Sequence, residues 1–394
     1  MATIKKRGNS YLIRVSCGYD INGNHKEQSM TWKPDEGMTK KQIEKELNRQ
    51  AVMFEESVNH GFKTSAMKFQ ELAEEWFENY AKNALRSTTY ERMLRLTHRV
   101  YPAIGHLRID KITARHLQGF VRSLTKEGAN EKTGKPLAPK TIRHNLSFIS
   151  DVFSYAVRMD LVSDNPYRKV IIPKGELKEK QIYSQEEMAL LLTRINREPT
   201  KYRAFFFLVA YSGFKRSEML GLEWKDIDFE HNVITIKRNS NYTAGRGTYT
   251  DTTKTKRSQR VMKISPYIMG ILKELKDEQD EEALRLGDKW VDTDRHFVKW
   301  NGEPMNNQTP YGWLKEFCEK NELPFYGIHS FRHFAASALI SAGLDVTTVS
   351  GALGHSNSGT TLNVYSHMFQ NAQARVAEAL DDAFSFLPAQ DSNA

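Results

Sequence analysis

Four residues in the last third of this 394-residue chain have types and spacing suited to phosphoryl transfer with a nucleophile supplied by the protein. His329-Ser330-Phe331-Arg332 opens a predicted helix, Leu353-Gly354-His355 follows, and Tyr365 stands ten residues after His355. On a helix the i, i+3 spacing puts His329 and Arg332 on one face, so both can aim donors at one phosphate. A phosphodiester repels nucleophiles through its anionic oxygens, and without a metal its transition state needs fixed cations and hydrogen-bond donors. Arg332, His329 and His355 are the candidates to supply them. The Tyr365 phenol, with a reference pKa of about 10, must lose its proton as it attacks, and a neighbouring histidine can accept it. Singly, a Tyr or a His is more often a core or structural residue. The ordered set carries the reading.

The departing 5′ oxygen also needs a proton, and a lysine on a loop can give it. Lys254 and Lys256 are the candidates, in Thr253-Lys254-Thr255-Lys256-Arg257-Ser258-Gln259-Arg260. This segment follows the alternating run Val233–Ile236 and precedes Arg260–Ile264, which predicts the tip of a β-hairpin. A solvated basic loop is the plainer alternative.

Taken together, these residues resemble the tyrosine recombinase (phage integrase) family, whose pattern is Arg, Lys, His-x-x-Arg, His or Trp, then Tyr. The resemblance covers most of the chain. The apolar helix Phe334 to Ile340 and the run Tyr365-Ser366-His367 match it as well. The family's first arginine sits in a Gly-x-Arg-x-x-Glu turn, and here the corresponding stretch is Gly213-Phe214-Lys215-Arg216-Ser217-Glu218. Lys215 therefore stands at the arginine position, and the pattern directs Arg216 away from the site. Glu218 is expected to hold the turn by pairing with a nearby cation. Lysine keeps the charge but loses the planar fork that grips two phosphate oxygens, so the exchange is not conservative. Either a substitution that traps a DNA complex or a natural variant in which Arg216 or Lys215 suffices fits this sequence.

Composition bounds the reading further. A net charge of +9 favours an acidic partner, and its distribution is uneven: residues 67–174 hold nineteen Lys and Arg against eleven Asp and Glu, a net +8. This middle segment is expected on backbone phosphates. Cys17 and Cys318 fit no Cys-x-x-Cys spacing, which suits a reduced compartment, and no metal site is expected. No apolar run approaches the roughly 18 residues of a membrane span, and the start Met1–Lys6 lacks a signal-peptide core.

Periodicity predicts three domains. Residues 1–62 begin with two strand-like runs around a turn at Asp20–Asn24, then show Ile43, Leu47, Ala51 and Phe54 at helical spacing. This small sheet plus helix resembles the arm-type DNA-binding domain of integrases, with Tyr11, Arg14, His25 and Lys26 expected at the groove. A small accessory domain whose helix covers its sheet is the alternative. Residues 66–168 read as helical, with stripes Phe69, Leu72, Trp76, Tyr80; Leu117, Phe120, Val121, Leu124; and Ile142, Leu146, Ile149, Phe153, Ala156. Those stripes are packing. Arg86, Ser87, Thr88 and Thr89, which resemble the family's core-binding start, and Lys140, Arg143 and His144 are the candidates to touch DNA, together with Lys256 and Arg257. A Pro/Gly-punctuated linker over 169–182 precedes a catalytic domain, 183–394, opened by the capping-box pattern Ser184–Glu187. Its tail, 371–394, has an apolar side.

The resemblance implies a mainly helical, multidomain recombinase with an α+β catalytic domain. Tyr365 would form a 3′-phosphotyrosyl bond and free a 5′ hydroxyl that attacks a partner duplex. No cofactor is implied, because the covalent link conserves the phosphodiester energy. Implied partners are double-stranded DNA, sister copies in a tetramer with the tail docking in trans, and an excisionase or DNA-bending protein. The implied setting is a bacterial cytoplasm and the role integration and excision of a mobile element. A type IB topoisomerase uses nearly the same site, and Lys215 also admits an inactive DNA-binding relative. Restoring Lys215→Arg is expected to raise cleavage of a suicide substrate by about 10²- to 10³-fold. An unchanged rate would remove Lys215 from the catalytic set.

Overall fold

The computed structural model describes residues 2–355 except 20–22, 36, 60–66, 176–180, 244 and 253–258, together with 357–359, 361, 362 and 365. Its contacts divide the chain into two compact units, Met1–Leu177 and Lys178–Ala394.

The first unit begins with an antiparallel sheet, β1 (Thr3–Arg7), β2 (Ser10–Tyr19) and β3 (His25–Trp32), in that spatial order. One face is covered by α1 (Lys40–Asn59), whose Leu47, Ala51 and Phe54 pack on Ile13 and Val15. Thr39 and Gln42 exchange hydrogen bonds at the start of α1, replacing partners that the first turn lacks. Strand parity corrects one expectation. Tyr11 shares the side of Ile13 and packs on this core beside Trp32, with rings 6.0 Å apart. Lys26 shares the side of Met30. Arg14, paired with Glu27 at 3.2 Å, and His25, bonded to Ser16 at 2.9 Å, lie on the side away from α1. Side chains alternate along a strand, so Tyr11 and Arg14 cannot share a face.

A helical cluster follows: α2 (Phe69–Trp76), α3 (Lys82–Ala84), α4 (Ser87–Val100), α5 (Ala114–Leu124) and α6 (Pro139–Arg158). The three stripes meet in one core around Phe69, Trp76 and Phe148. Tyr80 departs from its expected place and is exposed, while Phe77 and Ala81 are buried. The cause is a π turn over Phe77–Ala81, which inserts a residue and rotates the inward face.

In the second unit α7 (Gln185–Ile195) starts at a capping box in which Ser184 and Glu187 satisfy each other's backbone. The next helix, α8 (Thr200–Ser212), is apolar nearly all round and runs through the middle of the core, as such a helix must. Phe206 of α8 touches Trp313 and Phe331, at ring distances of 5.2 and 5.5 Å. These residues belong to α11 (Thr309–Lys320) and α12 (Ile328–Ser341). Between α8 and α11 lie α9 (Arg216–Met219), strands β4 (Ile227–Asp228), β5 (Val233–Ile236), β6 (Arg238–Thr243), β7 (Gly247–Thr252) and β8 (Arg260–Lys263), and α10 (Pro266–Leu286). Helix α13 (Val346–Leu353) follows α12.

Strands β4, β5 and β8 form one antiparallel sheet, with Ile236 opposite Arg260. Between β5 and β8 stands a second hairpin, β6 with β7, so the candidate lysine segment follows that insertion instead of capping β5 and β8 directly. Asn, Ser and Thr dominate β6 and β7, so they lack the apolar period that marked their neighbours. Lys254, Lys256 and Arg257 lie outside the described residues, as do Ser366, His367 and the tail.

Replacing Phe148 with alanine removes a fully buried ring that touches Phe69, Trp76 and Phe77. A loss of about 3–5 kcal/mol is expected. Chemical denaturation of the full chain measures it, and a change below about 1 kcal/mol would contradict this packing.

Candidate active site

The site forms where three helix ends converge. Gly213 ends α8 in the left-handed region, with φ of 62°, and a Cβ there would lie 2.8 Å from Leu353 Cδ2 and 3.2 Å from Ala335 Cβ. Glycine is thus required both for the turn and for the approach of α12 and α13. The carbonyl of Gly213 accepts a hydrogen bond from Arg332 Nη1 at 2.8 Å. Arg332 is only 3 % exposed, and its buried Nη2 has no acceptor among the described residues. Burial lowers its pKa to about 10, partly offset by Glu218, so the guanidinium stays charged at neutral pH.

His329, Arg332 and His333 occupy positions i, i+3 and i+4 of α12. His329 and His333 meet edge to face at 4.9 Å. His333 Nδ1 lies 2.6 Å from the Tyr365 hydroxyl. Tyr365 is 2 % exposed and packs with Ala336, Ile340, Val349 and Leu353. Burial pushes its phenol up to about 12, against the pull of Arg332.

His355 follows Gly354 at the end of α13, with Nδ1 2.8 Å from the Thr361 hydroxyl. Burial brings its pKa down to about 4, aided by the positive charges of Arg332, Lys215, His329 and Arg260. At neutral pH it is therefore a neutral ring, suited to donating a hydrogen bond from Nε2 when Thr361 donates to Nδ1.

Lys215 caps α9. Its backbone N–H donates to Glu218 Oε2 at 2.9 Å, and its Nζ lies 3.3 Å from Oε1 of the same carboxylate. Burial lowers the lysine's pKa against the opposing pull of Glu218. Glu218 is 1 % exposed; burial would raise its carboxyl, but Arg260 and Lys215 together hold it below the usual range. Arg260 Nη2 sits 3.0 Å from Glu218, its Nε donates to the Ala352 carbonyl at 2.8 Å, and its guanidinium covers the Phe214 ring. Gly354, at φ 65°, leaves the room this requires, since a Cβ there would come 2.6 Å from Arg260 Nη1.

Lys215, His329, Arg332 and His333 open into one cleft of about 900 Å³, which Asn241, Asn307 and Tyr311 also line. Arg216 lines the same cleft, contrary to the expectation that it faces away. Lys215 is the N-cap in extended backbone and Arg216 the first residue of α9, so strand-like alternation does not govern the pair, and Ser217 lines the cleft with them. Three residues escaped the sequence reading: His333, Arg260 and, in the first unit, Arg92. Arg332-His333 was a visible adjacency, but nothing in the spacing linked position 333 to 365. Arg92 of α4 joins Lys140 and Arg143 in depressing the pKa of His144, after burial, so these four form one basic cluster. Arg86 precedes α4, and Ser87, Thr88 and Thr89 form its first turn.

The arrangement offers a fixed cation with a spare donor, a neutral imidazole and a phenol against a second imidazole, which suits stabilising and attacking a phosphate. Among the described residues no helix is long and apolar enough to cross a membrane.

His355 is expected to titrate near pH 4 in the free protein. Its pKa is depressed on folding, so the unfolded chain binds more protons between about pH 4 and 6.5, and stability should decline as pH falls through that window. Proton NMR of the His355 ring checks it. A midpoint at or above 6.5 would contradict the burial and the cationic neighbours.

Comparison with known proteins gives consistent matches. Residues 181–372 match the Phage integrase family, and residues 69–171 match the Phage integrase central domain. The chain is 28 % identical to the ICEBs1 integrase of Bacillus subtilis over 274 residues, covering 70 % of this chain and 72 % of that one. In fold it is similar to the Tn1549 transposon integrase in complex with a circular intermediate DNA, with a TM-score of 0.65 at 22 % identity, covering 79 % of this chain and 99 % of that one. It is also similar to lambda integrase in a tetramer bound to a Holliday junction, with a TM-score of 0.54 at 12 % identity over 92 % and 94 % of the two chains.

Proposed function

This chain belongs to the phage integrase family and is a tyrosine recombinase, an enzyme that transfers DNA strands, and on that premise we propose that Tyr365 is its nucleophile. The phenolic oxygen attacks a DNA phosphate, forms a 3′-phosphotyrosyl bond and releases the 5′ oxygen. Arg332, His329, His355 and Lys215 hold the phosphate, and Lys254 or Lys256 protonates the leaving oxygen. The observation that carries this reading is the buried Arg332 guanidinium, which keeps one nitrogen without an acceptor among the described residues while its charge acts on the Tyr365 phenol. A buried donor left unpaired is costly, and a phosphate oxygen would satisfy it.

The domains divide the work. Residues 66–168 grip the duplex through the Arg86–Thr89 turn and the Arg92, Lys140, Arg143 and His144 cluster, while the side of the N-terminal sheet away from α1, with Arg14 and His25, reads a separate arm site. Likeness to a recombinase seen as a tetramer on a Holliday junction supports four copies acting together, in the cytoplasm, to integrate and excise a mobile element. The tail 371–394 docks on a neighbouring copy. Lys215 favours a slow form of this enzyme, because its ammonium already leans on Glu218 and has no second prong for the phosphate.

Tyr365→Phe is expected to abolish the covalent protein–DNA adduct on a suicide half-site while leaving affinity for that half-site within about threefold. Denaturing electrophoresis and peptide mapping read the adduct. Its survival in the variant, or its mapping to another side chain, would overturn the assignment. Relaxation of supercoiled DNA without strand exchange would instead indicate a type IB topoisomerase.

A further inference from the structure

We propose that His333 is itself a catalytic residue, whose Nδ1 takes the phenolic proton as the Tyr365 oxygen attacks. The inference rests on Tyr365 being the nucleophile. The geometry is direct: Nδ1 stands 2.6 Å from the hydroxyl, and His333 and Tyr365 are 6 % and 2 % exposed. Solvent is therefore poorly placed to receive the proton, and a base must be built in.

His333 Nδ1 lies at hydrogen-bond distance from the phenol, whereas His355 Nδ1 is held by Thr361 and Arg332 is a cation that donates to the Gly213 carbonyl. A phenol pushed up to about 12 is almost entirely protonated at neutral pH, so the proton must leave during the attack and not before it. Position also favours His333. It follows Arg332 on the same rigid helix, so the group that fixes the phosphate and the group that receives the proton share one backbone.

The step balances. The phenolic oxygen bonds to phosphorus while its proton passes to Nδ1, and the bond from phosphorus to the 5′ oxygen breaks with its electron pair on that oxygen. The leaving oxygen collects a proton from Lys254 or Lys256. On rejoining, the imidazolium returns its proton to the departing phenolate.

The test uses suicide half-sites of two kinds, one with an ordinary scissile phosphodiester and one with sulfur in place of the bridging 5′ oxygen. Sulfur leaves without protonation, so it bypasses the leaving-group acid but not the base. His333→Gln, made in this chain and in its Lys215→Arg form, is expected to slow adduct formation by about 10²- to 10³-fold on both substrates alike. Half-site affinity should stay within about threefold. Added imidazole should restore part of the rate to His333→Ala, which a purely structural role would not allow, and this rescue decides the matter if either variant folds less stably. Full activity of His333→Gln, a defect that vanishes on the sulfur substrate, or an absence of imidazole rescue would overturn the proposal. An adduct that persists in Tyr365→Phe would instead overturn the nucleophile assignment beneath it.

Discussion

The site depends on one buried carboxylate. Glu218 at 1 % exposure could not stay ionised alone, because an isolated charge taken out of water costs several kcal/mol. Its partners come from different stretches of chain: the backbone and ammonium of Lys215 at the head of α9, and the guanidinium of Arg260 on β8. Arg260 in turn reaches the Ala352 carbonyl near the end of α13. One ion pair thereby fixes the cap that carries Lys215, the strand that leads from the lysine segment, and the helix end that presents His355. Removing the carboxylate would take this countercharge from the buried Arg260, and removing Arg260 would leave the half-exposed Lys215 ammonium to balance a buried carboxylate.

Backbone geometry makes that arrangement exact enough for chemistry. Gly213 and Gly354 both sit in the left-handed region, and each also leaves a gap that a neighbour fills, Leu353 and Ala335 at the first and Arg260 at the second. The first gap lets Arg332 reach the Gly213 carbonyl, which sets the guanidinium's direction and leaves its other nitrogen for a ligand. The electrostatics agree with this division of labour. Burial, aided by the positive groups around it, keeps His355 neutral, so the imidazole would contribute a directional bond while Arg332 and Lys215 carry charge.

Much of this was legible in the sequence because it is periodic or ordered. The stripes of the middle segment and the capping box at Ser184 are local patterns, and the spacing of His329, Arg332, His355 and Tyr365 needs no knowledge of distance. Other features were less accessible for physical reasons. Tyr80 was misplaced because a π turn breaks the 3.6-residue period, and the hairpin of β6 and β7 is too polar to announce itself. Tyr11 was a different kind of miss, since its parity with Ile13 already excluded a shared face with Arg14. His333 and Arg260 act through partners 32 and 42 residues away, Tyr365 and Glu218, and no local period encodes such pairs.

The enclosure of Tyr365 has a consequence for the integrity of the substrate. Its ring is walled by Ala336, Ile340, Val349 and Leu353 and its hydroxyl faces the buried His333, so the oxygen that would carry the ester is enclosed where little water enters. Hydrolysis of such an ester would strand a broken chromosome, whereas an incoming sugar hydroxyl is delivered by base pairing and does not depend on diffusion through that wall. The packing that makes the phenol a reluctant acid would thus also shield such an ester until a sugar hydroxyl arrives.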